Sequence, residues 1–136
     1  MSVELATEVT DALTELFSRA LSTASNHRGG PAMLHSILLD EEPRAFLEAV
    51  VARNELWTAQ AGQSLVGFAL CRNGLIEAVY VQKSSRRQGV GTSLVRAIQT
   101  ALSEPVDAYA LPGDRATKSF YESLGWKARL LMMRGV

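Results

Sequence analysis

The chain has 136 residues, 47% of them hydrophobic and 21% charged, a balance that predicts one folded domain over residues 1–136 and excludes a disordered or fibrous chain. Fourteen Lys and Arg are cancelled by fourteen Asp and Glu, so nothing global favours a nucleic-acid or membrane partner, and any anion site must be local. The one cysteine, Cys71, excludes an intramolecular disulfide; no secretion signal or bilayer-length apolar run is evident, and a reducing cytoplasmic setting is the default expectation.

After an extended start, "SVEL", residues 7–25 place Val9, Leu13, Leu16, Phe17, Ala20 and Leu21 at helical spacing, with Thr7 as the expected N-cap. "SNHRGGPAM" collects turn formers, and "DEEPRAFLEAVVAR" predicts a second helix with a proline in its first turn. Three short branched and aromatic runs follow, "ELWTAQ", "LVGFALCR" and "LIEAVYVQ". The turns "AGQS" and Asn73-Gly74 between them predict an antiparallel meander. Residues 90–102 return to helical periodicity and stop before Pro105, and "VDAYAL" is a short strand. "PGDRATKSFYESLGW" predicts a helix capped by Asp114 and stopped by Gly125, and "KARLLMM" is expected as a closing strand, able to pair across a dimer if it lies at the sheet edge. The order predicts an α/β (α+β) fold, a mixed, mostly antiparallel sheet with helices on both faces.

The stretch "SSRRQGVGTSLV" joins the third meander strand to a helix. A glycine-rich turn there aims backbone N–H groups and the positive end of a helix dipole at one point, which suits an anion. It is not a Walker loop, since Thr92-Ser93 stands where a Lys-Ser or Lys-Thr pair is required, and Leu94 occupies the third-glycine position of a dinucleotide fingerprint. Alone, the Gly-x-Gly is also compatible with a tight connection.

The longer frame "VYVQKSSRRQGVGTSLV" resembles the acyl-CoA signature of the GNAT superfamily of N-acetyltransferases: Gln or Arg, two residues, Gly, one residue, then Gly or Ala. Arg86, Gly89 and Gly91 fill those positions, and "DRATKSFYESLGW" resembles the superfamily's closing motif, with Asp114 where the family often has Asn. The resemblance covers residues from about 55 to 134. It implies a single GNAT-like domain in which Arg86, Arg87, Gln88, Gly89, Val90, Gly91 and Thr92 hold the pyrophosphate of acetyl-CoA. Val79, Tyr80 and Val81 would pair with the pantetheine arm like an added strand, near Asp114.

It further implies that Tyr121 stands near the sulfur as general acid; the alternative is an aromatic packing a helix on the sheet. Glu77, given the facing of Val79 and Val81 by strand alternation, is either the general base, directly or through water, or a strand residue paired with a nearby cation. Lys83 and Lys118 are candidates for further phosphate contacts or for plain solvation, and the region of His27 and His35 is where the family lines its acceptor pocket. Cys71 reads as packing, and two histidines with one cysteine at no ligand spacing give no metal site. The reading is an acetyl transfer from acetyl-CoA to a primary amine by direct attack in a ternary complex, by a monomer or homodimer, without metal. The rivals are a non-catalytic acyl-CoA sensor or interaction module and a transferase for a longer acyl group.

Overall fold

A computed structural model describes residues 1–135 and opens with strand β1 (Ser2–Leu5). The first helix, α1 (Asp11–Ser25), begins four residues later than the apolar spacing suggested. Its cap is Thr10 rather than Thr7, because the Thr10 hydroxyl accepts from the Leu13 N–H at 3.1 Å while Ala6 is still bonded to the sheet through Leu56. A helix then stands where turn formers predicted only a loop: α2 (Gly30–Leu38). Gly-Gly-Pro punctuates its start, with Pro31 in the first turn, and Gly30 lies so close to the end of α1 that a Cβ would meet the Ala24 carbonyl oxygen at 1.8 Å. The predicted helix after the acidic run is α3 (Pro43–Ala52).

The meander forms as expected, as β2 (Leu56–Ala61), β3 (Ser64–Arg72) and β4 (Leu75–Val81), and Asn73 and Gly74 both have positive φ, 53° and 74°. Helix α4 (Val90–Ala101), strand β5 (Asp107–Ala108) and helix α5 (Arg115–Ser123) complete the order. Neighbouring strands run β1-β2-β3-β4-β5, antiparallel except for the parallel pair β4 and β5. "KARLLMM" is not a strand; Leu130, Leu131, Met132 and Met133 are exposed. With two residue pairs, β5 offers too short a ladder to template another strand, and four consecutive apolar residues lack the alternation that gives a strand one buried face.

The sheet separates two apolar layers. On one face Leu56, Phe68, Leu70 and Tyr80 meet α1, α2 and α3; on the other Trp57, Ala69, Cys71, Ile76 and Val79 meet α4 and α5. Phe68 is fully buried, its ring 5.7 Å from that of Phe17 and 6.1 Å from that of Tyr80. Phe68→Ala is expected to cost about 3–5 kcal/mol through lost burial and the void left behind, read as a lower urea midpoint at unchanged slope.

Two bulges break the alternation. Val66 is the extra residue between the pairs Ala59–Gly67 and Gln60–Leu65, and Glu77 is the extra residue between Leu70–Ala78 and Cys71–Ile76. The second one corrects the facing expected for Glu77. Its carboxylate turns away from the layer that holds Val79 and Val81 and reaches Arg72, which lies over Phe46 and bonds to the Ile37 carbonyl on the α2 and α3 side.

Candidate active site

Strands β4 and β5 pair only at Leu75–Asp107 and Ile76–Ala108, with bonds from the Asp107 N–H to the Gly74 carbonyl at 2.9 Å and from the Tyr109 N–H to the Ile76 carbonyl at 3.0 Å. Beyond that point β4 has no neighbour on this side among the described residues, and Ala78, Val79, Tyr80 and Val81 are half-buried rather than buried. The Gln82 N–H bonds back to Val66 on β3 at 2.8 Å. Alternation along the strand therefore turns the backbone polar groups of Val81 and Val79 the other way, toward the open wedge. The Val81 carbonyl is already reached there by Arg86 Nε at 3.0 Å.

The chain leaves the wedge through a short 3-10 turn, Lys83–Ser85, and enters the glycine loop. Arg86 is exposed and lies over the Tyr80 ring, 5.7 Å from its centroid. Arg87 takes a left-handed φ of 64°, Gln88 is exposed, and Gly89 caps α4 with φ 79°. No side chain caps α4, so the N–H groups of Val90, Gly91 and Thr92 in its first turn have no partner within the helix. The two glycines do different work. A Cβ on Gly89 would meet nothing within 4 Å, which leaves open space in front of the uncapped donors; a Cβ on Gly91 would stand 3.3 Å from the Phe120 ring, so its absence lets α4 and α5 approach. Unpartnered N–H groups at a helix start beside open space are the geometry an oxyanion of phosphate needs.

Tyr121 projects from α5 into the layer of α4, 7% exposed, between Phe120 at 5.1 Å and Trp126 at 5.0 Å. Burial first, and then Cys71, push its phenol above the ordinary value, so it keeps its proton at neutral pH. Asp114 caps α5: one carboxylate oxygen accepts from the Thr117 N–H at 3.0 Å, the other from its hydroxyl at 2.6 Å. His27 approaches the same carboxylate at 4.0 Å, and Gly113 packs on Arg28, so the end of α1 meets the loop before α5. His35 lies elsewhere, paired with Asp40 at the surface.

Glu77 sits on the opposite face of the sheet from Tyr121. Its Oε1 and Oε2 both accept from Arg72, the second at 3.1 Å, and the hydrogen bond raises the Arg72 guanidinium above its ordinary value against the lowering effect of burial. Pairing with a nearby cation is one of the two readings of Glu77 in the sequence, but that reading does not name Arg72 as the cation, because simple hairpin register sets Glu77 opposite Leu70 and the bulge brings the pair together. Arg72→Met should cost roughly 2 kcal/mol by leaving the Glu77 carboxylate, whose side chain is 10% exposed, without its donor. A urea melt checks this; a change within ±0.5 kcal/mol would show the pair to be incidental.

Cys71 is buried, and burial followed by the Glu77 and Glu55 carboxylates pushes its thiol up, which agrees with packing rather than nucleophilic chemistry. Lys118 reaches Glu122 at 3.9 Å, and Lys83 lies exposed in the turn after β4. Among the described residues no group of three His, Cys, Asp or Glu is placed to hold a metal, and no helix is long and apolar enough to cross a membrane.

Residues 15–130 match the family profile described as an acetyltransferase (GNAT) domain. No curated protein matches the chain. Among solved structures, a tetramutant of the BH1408 protein of Bacillus halodurans is 16% identical with a TM-score of 0.76, over 100% of this chain and 99% of that one. The PaiA N-acetyltransferase of Thermoplasma acidophilum, solved in complex with coenzyme A, is 14% identical with a TM-score of 0.68, over 95% and 92%. The GNAT family protein SP0256 of Streptococcus pneumoniae is 16% identical with a TM-score of 0.62, over 98% and 97%. At these identities the likeness is one of fold.

Proposed function

Because this chain belongs to the GNAT acetyltransferase family, and is thus an acyltransferase, we propose that it moves an acetyl group from acetyl-CoA to a primary amine by direct attack within a ternary complex. The observation that carries the proposal is the uncapped start of α4 with open space before Gly89, at the foot of the unpaired edge of β4.

Acetyl-CoA supplies an activated acyl carbon and a thiolate leaving group; the chain supplies everything else. Backbone N–H groups of Gly89, Val90, Gly91 and Thr92 take the pyrophosphate oxygens, with Arg86 and Arg87 adding charge and Gln88 lining the turn. Val79 and Val81 offer strand pairing to the pantetheine arm, once Arg86 gives up the Val81 carbonyl, and an N–H of this strand polarises the thioester carbonyl. Tyr80 braces Arg86 from below. Asp114 acts by holding the start of α5, and so Tyr121, in place. The neutral amine forms the C–N bond, the electron pair of the C–S bond leaves with sulfur, and Tyr121 hands that sulfur a proton. The amine gives up its own proton to Glu77 through water, since both Glu77 oxygens already accept from Arg72 and keep one lone pair each for a water. Net, one neutral amine and one thioester give one amide and one thiol, and the proton taken by Glu77 balances the one Tyr121 releases.

Acetyl-CoA binding by calorimetry, followed by thiol release with a panel of primary amines, tests the reading. Binding without thiol release from any amine would leave a CoA-binding module; no binding by the folded protein would remove the assignment altogether.

A further inference from the structure

The Arg86 guanidinium is placed between two partners it cannot serve in full at once, the Val81 carbonyl and the phosphates assigned to the glycine loop. Its Nε donates to that carbonyl at 3.0 Å, and its central carbon lies 5.7 Å from the centroid of the Tyr80 ring. Val81 ends β4 and its carbonyl faces the wedge, so the guanidinium stands on the acceptor that an added strand would use. The turn that brings it there is tied by its own bonds: the Ser85 N–H donates to the Gln82 carbonyl at 3.0 Å, and the Gln82 side-chain amide donates to the Ser85 hydroxyl at 2.9 Å. Arg86 itself is extended, with φ -70° and ψ 156°, and its side chain reaches back to the strand the chain has just left. The residue is exposed and has no carboxylate partner among the described residues, so its charge meets only a neutral oxygen and a ring face.

We propose that Arg86 is a latch on the wedge, held on Val81 without phosphate and drawn off by it, so that the donor accepted is a thioester carrying the phosphates of CoA and not the same thioester on phosphate-free pantetheine. An arginine on phosphate pairs two full charges and can use two parallel N–H groups, whereas the Val81 carbonyl offers one neutral oxygen to Nε alone. A ligand with phosphate at the start of α4 therefore exchanges the weaker contact for the stronger and clears the strand edge in the same event. A ligand without phosphate must displace the guanidinium with nothing to receive it. Occupation of the loop and pairing of the pantetheine arm with β4 are thus coupled through one side chain, and the coupling is reciprocal. The latch rests on the acyl-CoA reading above and deepens it, since Arg86 then determines specificity as well as adding charge.

The test is a nuclear magnetic resonance titration of isotope-labelled protein with pantetheine, with and without saturating inorganic pyrophosphate, following the Val79 and Val81 amides, with CoA titrated alongside. Pyrophosphate is expected to raise the parent's affinity for pantetheine by about fivefold, the worth of one exposed hydrogen bond removed from the strand edge. Arg86→Ala is expected to bind pantetheine about fivefold more tightly than the parent and to gain nothing further from pyrophosphate, while its affinity for CoA falls by about threefold or more. A residue that only holds phosphate would move CoA and leave pantetheine alone. Pantetheine affinity unchanged or weakened in Arg86→Ala, no effect of pyrophosphate on the parent, or no binding of pantetheine to either protein overturns the latch. Arg86 is exposed, so the variant keeps the fold; should it not, the pyrophosphate effect on the parent decides alone. CoA binding without these effects removes the latch and leaves the cofactor reading standing, whereas no CoA binding by the folded parent removes the cofactor reading and the latch with it. If the coupling is found but no amine is acetylated, the latch stands in a CoA-binding module and the transfer reading fails.

Discussion

Gly89→Trp is expected to lower acetyl-CoA affinity by roughly 100-fold or more, the equivalent of two charge-assisted hydrogen bonds lost to phosphate. A Cβ at this position meets no atom of the protein within 4 Å, so the indole fills only the volume in front of the α4 donors. The fold therefore has little reason to object beyond the strain of a side chain at φ 79°, about 1–2 kcal/mol. Calorimetry on parent and variant, with a melting curve for each, reads both effects. Full affinity in a folded Gly89→Trp would mean that the loop is a connection and nothing more. Gly91→Trp is a poor substitute for this experiment, because there the new side chain would strike Phe120 and any loss of binding would be confounded with loss of packing.

Tyr121→Phe is expected to reduce kcat by about 100-fold while acetyl-CoA affinity stays within about twofold, the pattern of a group that acts in the transition state rather than in binding. Phenylalanine keeps the ring between Phe120 and Trp126 and removes only the hydroxyl. The pH profile adds an independent reading. Because burial holds the phenol above its ordinary value, the acid form persists through the alkaline range, and no loss of rate below about pH 10 should trace to Tyr121 ionising. Parallel losses in kcat and in cofactor affinity would instead make Tyr121 a packing residue.

The parts of the fold that were legible in the sequence are those written in short-range chemistry. Asn73-Gly74 announces its hairpin because both residues adopt positive φ, and Asp114 announces its helix because its carboxylate can reach the Thr117 N–H three residues on. The glycine loop and the helix after it belong to the same class, since their signal lies within a dozen consecutive residues. Helix α2 was hidden because Gly29, Gly30 and Pro31 are turn formers in isolation; that Gly30 is needed for close approach to Ala24 is a fact about two helices. The closing strand failed for the opposite reason, as "KARLLMM" has strand-like composition but the neighbour it needs is two residues long. Glu77 was visible as a chemically interesting carboxylate, while its partner Arg72 and its facing depend on a register shift that no local pattern encodes.

The extra residue at Glu77 also makes β4 two half-strands out of phase. Ile76 and Val79, three apart, share the α4 and α5 layer, whereas Ala78 and Tyr80 belong to the layer of α1, α2 and α3. Ordinary parity rules, applied across position 77, assign a substituted side chain to the wrong layer. A chain shortened by this one residue would regain a continuous ladder with β3 and lose the carboxylate that now breaks it, so the most regular version of the strand is the one least suited to carry a functional group at its midpoint.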